Sequence, residues 1–404
     1  MKIAVIGGGA SGIMAAIAAA RNGADVTIYE RFDRIGKKIL ATGNGRCNLT
    51  NIYADKCNYH GLNPDFVDDV IGEFWVDKTL ELFENIGLVY KVEDEGKVYP
   101  YSNQAASVLD VLRFELERLG VNIEYGFEVK SVQAEKSGFF VKSYDNRKSY
   151  ADKVIIATGG KASPALGSNG SGYPILESFG HKLTKLNPSL VQLKLKGSEL
   201  KPLNGLKLDG ELTLKINGDI EKTEKGEILF TDYGISGPVV FSLSALAGRA
   251  ENVTISIDMM PDYSKSDIER ILKSHREVMT NVEDLFCGVL PKRIGQVLIK
   301  NSISKKMNED IKTVTDAEIS TISQKTKAFL VEVEGTMSWN NAQVTAGGID
   351  VRDFSSKTFE SKLKKGIFAT GEVLDIDGDC GGYNLQWAWS SGFVAGLSAS
   401  GGVL

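Results

Sequence analysis

Three glycines spaced Gly7-x-Gly9-x-x-Gly12 follow an apolar run, 2–6, and open an alanine-rich stretch. In that setting each glycine has a separate task. Gly7 permits a tight turn, Gly9 lets the backbone come close to a diphosphate, and Gly12 allows a helix to pack tightly on a strand. The helix that follows presents unpaired N–H groups and the positive end of its dipole to the phosphates. A second apolar run, 25–29, ends on Glu30, where a carboxylate can accept both hydroxyls of a ribose. The same carboxylate disfavours a 2′-phosphate. The chemistry this points to is dinucleotide binding.

Which dinucleotide is decided further along. Residues 155–160 (IIATGG) and 368–372 (FATGE) are two more apolar runs that lead into glycine. Both resemble the later cofactor contacts of flavoproteins with two dinucleotide-binding domains, so FAD is expected rather than NAD alone. The stretch 42–51 (TGNGRCNLTN) combines glycines, asparagines and Arg46. It is expected to lie against the diphosphate and flavin, with Arg46 offsetting negative charge. In the tail, 371–392, Gly381-Gly382 removes side chains where a planar ring must fit, and Asn384 or Leu385 begins a helix. Backbone N–H groups there can face the flavin N1/O2 edge and stabilise its anionic reduced form. A calcium loop on Asp375, Asp377 and Asp379 fails, because Cys380 and Gln386 stand where a glycine and a bidentate acid are required.

These segments need elements to carry them. Residues 2–6 and 25–29 read as buried parallel strands around a helix over 11–22 that Gly23 closes. Helical periodicity recurs over 76–86 and 105–119, with strands over 121–125, 139–143 and 153–157. Beyond Pro188 the pattern changes to alternation at 190–196, 212–216, 228–231 and 253–257, with a hairpin signal at Asn217-Gly218. Helices are expected over 265–279, 292–302 and 316–327, then a strand over 329–334. Glycine-rich apolar sequence returns after Asn340 and ends in a helix over 384–400. The expected fold is α/β, a Rossmann-like FAD fold of the two-dinucleotide-binding-domain type. Its first part is 1–189 and its C-terminal part 341–404, around an inserted β-barrel of 190–260 and 328–340 with a helical subdomain at 261–327.

Bulk properties narrow the classes. The chain has 404 residues, a net charge of −5, four widely spread cysteines and three histidines. That balance argues against a nucleic-acid partner held by bulk charge, and neither the cysteines nor the histidines have metal-site spacing. Sparse cysteine suits a cytoplasmic protein. Glycines interrupt the N-terminal apolar run where a secretory core should be continuous, and no stretch is apolar enough for a bilayer.

The motifs GGGASG, TGNGRCNLTN, FTDYGISGP (230–238), AQVTAGGI (342–349) and GGYNLQWAWSSG resemble the BaiN/YhiN-like flavoproteins over essentially the whole chain. That family includes aminoacetone oxidase-like enzymes and a proposed 3-oxo bile-acid Δ4,6-reductase. The resemblance implies an FAD domain carrying an inserted barrel and helical subdomain. It further implies that Ser11 and Gly12 meet the diphosphate and Glu30 the adenosine ribose. Lys37, Lys38, Thr42, Gly43, Asn44, Gly45, Arg46, Cys47 and Asn48 would line the middle of FAD. Val129 would meet adenine, Thr158 and Gly159 the ribose–phosphate region, and Gly371, Glu372, Gly382, Asn384, Leu385 and Gln386 the ribityl chain and flavin.

The activity expected is an FAD-dependent oxidoreductase moving a hydride between flavin N5 and a small organic substrate, by enone reduction or by amine or ketone oxidation. Tyr383 and Arg46 are the candidate catalytic side chains, and NAD(P)H is a candidate transient electron donor. Two alternatives stand beside it: an RNA-binding or RNA-modifying flavoprotein, and a thiol–disulfide oxidoreductase. Cys380 and Cys47 lack the closely spaced pair the last would need. His181 is expected as a helix cap rather than a catalyst, and Trp387 and Trp389 as core.

Overall fold

A computed structural model describes residues 1–402. The chain forms two compact units, Met1–Asn187 with Ala342–Leu404, and Pro188–Asn341. The first is built on a five-stranded parallel sheet ordered Ile367–Ala369, Lys153–Ile156, Lys2–Ile6, Asp25–Tyr29, Asn122–Glu124. Strands Ile367–Ala369, Lys153–Ile156 and Lys2–Ile6 are buried along nearly their whole length, which is why they read as apolar runs, whereas the edge strand Asn122–Glu124 is exposed to half-buried. Register places Ile6 beside Ile156 and Tyr29, and Ile156 beside Ala369. The glycine turns that follow these strands therefore leave one edge of the sheet together.

Helix Ala10–Arg21 returns the chain after the first strand. It ends in a Schellman motif: Gly23 N donates to Ala20 O and Ala24 N to Ala19 O, with Gly23 at φ +81°. Its alanines let another helix approach closely. That helix is Tyr383–Ala399, whose Gly392 and Gly396 lie against the carbonyls of Ser11 and Ala15. A side chain at either glycine would enter the backbone of the first helix. The two ends of the unit are thus joined by backbone-to-backbone packing.

A three-stranded antiparallel meander, Val129–Ala134, Phe139–Ser143 and Lys148–Ala151, completes the nucleotide side. The segment between residues 48 and 103 holds elements that periodicity does not mark. They include strand Tyr59–His60, helix Val67–Glu73 and a small antiparallel sheet of Thr50–Asn51, Lys97–Pro100 and Tyr90–Val92. These strands of two to four residues are too short to show a period.

The second unit is a closed barrel of six strands, Leu193–Leu195, Gly234–Ser236, Asp219–Phe230, Lys207–Ile216, Val253–Asp258 and Phe329–Thr336. The runs 212–216 and 228–231 prove to be the ends of strands of ten and twelve residues. Their charged remainders alternate toward solvent and hide the pattern. Helix Pro238–Ala247 is likewise absent from the sequence expectations. A ten-residue apolar run with few polar positions reads as strand or helix alike, and Pro238 at its first turn is what favours the helix. Helices Lys265–Val278, Lys292–Lys300 and Asp316–Lys327 share a hydrophobic core with the barrel, through Ile268, Leu272, Ile294, Leu298, Ile319 and Ile322. No helix among the described residues is long and apolar enough to cross a membrane.

Candidate functional site

The site begins at the glycine turn. Gly7 sits at φ +106°, and a Cβ there would lie 2.5 Å from Ala157 O. Gly12 faces the carbonyl of Gly7, so any side chain would push the helix off the strand. Gly9, in contrast, has no atom within 4 Å of where its Cβ would be. Two glycines serve packing and the middle one faces open space, as a diphosphate cradle requires.

Glu30 is buried, with Oε2 accepting Gly8 N–H and Oε1 accepting Phe32 N–H, each at 2.9 Å. Burial pushes its pKa up, against the pull of those two N–H donors. Each oxygen keeps a further lone pair for a ribose hydroxyl. Val129 lies at the start of the meander strand that follows, buried and paired with Ser143.

The loop 42–48 is folded by left-handed residues. Gly43, Asn44 and Cys47 have φ of +55°, +56° and +60°, while Thr42 Oγ1 donates to Ile39 O at 2.7 Å. Cys47 is fully buried and its thiol is pushed up to about 12. Asn48 Oδ1 is buried with no hydrogen-bond partner among the described residues, and it would lie 3.0 Å from a Cβ at Gly382. Gly382, at φ +105°, leads directly into the N-terminus of helix Tyr383–Ala399. Its first-turn N–H groups have no intrahelical acceptor. An unpartnered buried acceptor beside a free helix N-terminus suits the polar edge of a flavin, which carries both donors and acceptors. With the open space at Gly9 and the free lone pairs on Glu30, the residues present fit FAD.

Several expected contacts go elsewhere. Arg46 pairs with Glu93 at 2.5 Å and Asn103 at 2.7 Å, and its guanidinium lies 3.9 Å over the Tyr99 ring. Glu93 is shared with Lys91, so the guanidinium is held by contacts within the protein. Gln386 is fully buried, with its amide group shared among Thr50, Thr79 and Ser390. One turn into the helix, it points into the core rather than at a ligand. Lys38 and Glu372 pair with each other at 2.7 Å, and Glu372 Oε1 also accepts Thr345 N–H. Lys37 lies 3.9 Å over the Phe32 ring. The Asn384 side chain is engaged with Gly378 and with Asp379 O, which leaves its backbone N–H for a ligand. Leu385 is half-buried in the same first turn.

Ser11 Oγ reaches Thr370 O at 3.5 Å, and Gly371 N donates to Ser391 Oγ at 3.0 Å. These contacts hold the FATGE segment against the start of the first helix and against the last helix, Tyr383–Ala399. Thr158 and Gly159 leave the neighbouring strand, with Gly159 at φ +70°. His181 follows a helix end, as expected, but its ring is buried, stacked on Phe354 and bonded to Ser361 Oγ. Trp387 and Trp389 are core, donating to Gly371 O and Leu49 O.

Two parts of the site are invisible to sequence reasoning. The hairpin carrying Tyr99 joins it through Asn51, whose Nδ2 bonds both Glu95 O and Gly381 O. His60 pairs with Asp379 at 3.0 Å just before the glycine turn that leads into helix Tyr383–Ala399. Neither leaves a mark at a fixed spacing in the sequence, although Asp379 stands in a loop already unusual for its acids and glycines.

The model of the HI0933-like protein Rossmann domain family matches residues 1–398. The chain belongs to this family. Its fold is the Rossmann-type fold of FAD-dependent oxidoreductases. The 3-dehydro-bile acid delta(4,6)-reductase of Clostridium scindens is 39% identical, over 99% of this chain and 99% of that protein. A ribosomal RNA dihydrouridine synthase of Haemophilus influenzae is 31% identical, over 98% of each. Among solved structures, a 3-ketosteroid-delta4-(5alpha)-dehydrogenase from Rhodococcus jostii RHA1 has a TM-score of 0.48 at 15% identity, over 98% of this chain and 96% of that one.

Proposed function

We propose that this FAD-dependent oxidoreductase reduces a carbon–carbon double bond conjugated to a carbonyl, in a small enone-type substrate. The observation that carries the reading is full-length similarity, at 39% and 31% identity, to two reductive activities with one common demand. A 3-dehydro steroid with double bonds at positions 4 and 6 and the uracil ring both offer an alkene whose electrons a carbonyl can accept. Bound FAD, once reduced, supplies a hydride to such an acceptor.

The chain's own residues do the rest. The glycine turn and Glu30 hold the nucleotide end. Asn48 and the first turn of helix Tyr383–Ala399 hold and polarise the other end. Tyr383 stands at that first turn with its hydroxyl kept protonated by burial, Asp379 adding to the effect. NAD(P)H is the proposed donor of reducing equivalents. An rRNA uridine is the second reading, supported by the dihydrouridine synthase relative and opposed by the net charge of −5.

The test is anaerobic. Cofactor released by heat should chromatograph as FAD, and the reduced protein should be reoxidised by a 3-oxo-4-ene steroid. Ribosomal RNA lacking dihydrouridine is run in parallel, and reoxidation by RNA alone would move the assignment to the second reading. Reduced protein that passes electrons to neither would refute the class.

A further inference from the structure

An acid–histidine pair sits at the turn that leads into helix Tyr383–Ala399. His60 lies in the two-residue strand Tyr59–His60, paired antiparallel with Asp377–Gly378. Its Nε2 is 3.0 Å from Asp379 Oδ1. The other carboxylate oxygen accepts Asn58 Nδ2 at 3.3 Å, and Asp379 N donates to Asn58 O at 2.9 Å. Asp379 is therefore held from both sides, and it fixes the imidazole in turn. A hydrogen bond to a carboxylate requires the proton on Nε2, so Nδ1 is the nitrogen left to exchange a proton with a ligand.

This pair is fastened to the turn that ends at the helix N-terminus. Asn384 Nδ2 donates to Gly378 O and Asp379 O, and Tyr59 Oη donates to Tyr383 O at 3.0 Å. The His60 side chain keeps 33% of its surface exposed and Asp379 keeps 22%. The other titratable groups around the turn are Asp375, whose Oδ2 accepts Leu62 N–H, Asp377 across the strand pair, Tyr383, Cys57, Cys380 and Glu95. Lys97, on the Cys380 side, is paired with Glu95. Protonated on both nitrogens, the His60 ring keeps its Nε2–H on Asp379 and has the Nδ1 proton to deliver.

We propose that His60, oriented by Asp379, is the proton donor to the substrate α carbon; this rests on the conjugated-alkene reading above. Hydride addition forms a C–H bond at the β carbon and moves the π pair onto the carbonyl oxygen as an enolate. The Nδ1–H bond of the imidazolium then breaks, its electron pair stays on nitrogen, and the proton joins the α carbon. The alkene gains two electrons and two hydrogens in total. The reducing equivalents come from a nicotinamide-class donor, and water reprotonates the ring. Asp379 is a positioning residue.

His60→Gln separates this role from a structural one, because the glutamine amide can still donate to Asp379. With the holoenzyme, FAD content and reduction by NAD(P)H should be unchanged, while reoxidation by a 3-oxo-4-ene steroid should fall about 10²-fold or more. Added imidazole should restore part of that rate. A second readout does not use turnover. The chain has three histidines, so the His60 ring nitrogens can be followed by 15N NMR and assigned by their loss in His60→Gln. They should shift when a non-reducible phenol, an enolate mimic, binds the oxidised holoenzyme, and Asp379→Asn should change their tautomer ratio. Wild-type reoxidation in His60→Gln, or a His60 signal indifferent to a phenol that perturbs the flavin spectrum, would overturn the assignment alone. Failure of the wild type to reduce any conjugated alkene would overturn the functional reading and this proposal with it.

Discussion

Glu30 Oε2 accepts the backbone N–H of Gly8 at 2.9 Å, tying the acid at the end of the second strand to the turn that follows the first. The bond orients the carboxylate before any ligand arrives, so a ribose meets acceptors already in place.

Glu30→Ala should therefore weaken FAD binding at least tenfold. Two charge-assisted hydrogen bonds to ribose contribute roughly 1.5–3 kcal/mol each before compensation by water. Titration of the apoprotein with FAD, followed by flavin fluorescence, checks this. Equal dissociation constants for the two proteins would show that the ribose is held elsewhere.

The contact of Gly396 with the Ala15 carbonyl makes a stability prediction. Gly396→Val should destabilise the protein by roughly 1–3 kcal/mol, because the added atoms enter backbone that cannot rotate away. Gly401→Ala is the control, since a Cβ there would meet nothing within 4 Å, although its φ of +82° imposes a small cost of its own. Urea melts of the three proteins give the comparison, and a Gly396→Val midpoint equal to wild type would contradict the close helix crossing.

Thiol chemistry has little to work with at Cys47. Its thiol is buried and pushed up to about 12, so near neutral pH it stays protonated. Iodoacetamide should label the exposed Cys57 and Cys287 in the native protein and reach Cys47 only after denaturation. Peptide mass spectrometry reads this directly. Cys380→Ser should keep FAD and most turnover, and a long-wavelength charge-transfer band that vanishes in Cys380→Ser would instead establish a thiolate beside the flavin.

His181 gives a pH signature. Burial lowers its pKa in the folded protein, with Asp353 opposing, so below the unfolded value of about 6.5 the unfolded chain binds more protons. Its contribution to stability is complete above that pH and is lost as pH falls toward the folded value. Between pH 7.5 and 5.5, wild type should lose more urea resistance than His181→Gln. Parallel losses would mean that the ring is not protonated on unfolding in that window.

Legibility followed the range of the interaction. The strand–turn–helix at Gly7–Gly12, the acid at Glu30 and the parallel strands around them are local: a few neighbouring residues dictate turn, burial and period. The same holds for helix Asp316–Lys327, whose Thr315 and Glu318 form a capping box within four positions. Helix Pro238–Ala247 and the long charged barrel strands escaped because their patterns are shared by more than one structure.

What the sequence determined by itself was the Rossmann-type FAD fold and the strand–turn–helix segments that build it. Only the tertiary structure decided which polar side chains remain available at the site. Arg46 could have faced phosphate, and it faces Glu93 and Tyr99. Gln386 could have met the flavin, and it completes a buried network with Thr50 and Thr79. His60 and Asp379 lie far apart in the chain and meet at 3.0 Å. A long polar side chain takes whichever partner the fold brings near, and burial makes that choice binding because an unpaired group in the interior costs about 1–3 kcal/mol. Such partners are set by contacts between distant segments, which no local period or spacing records.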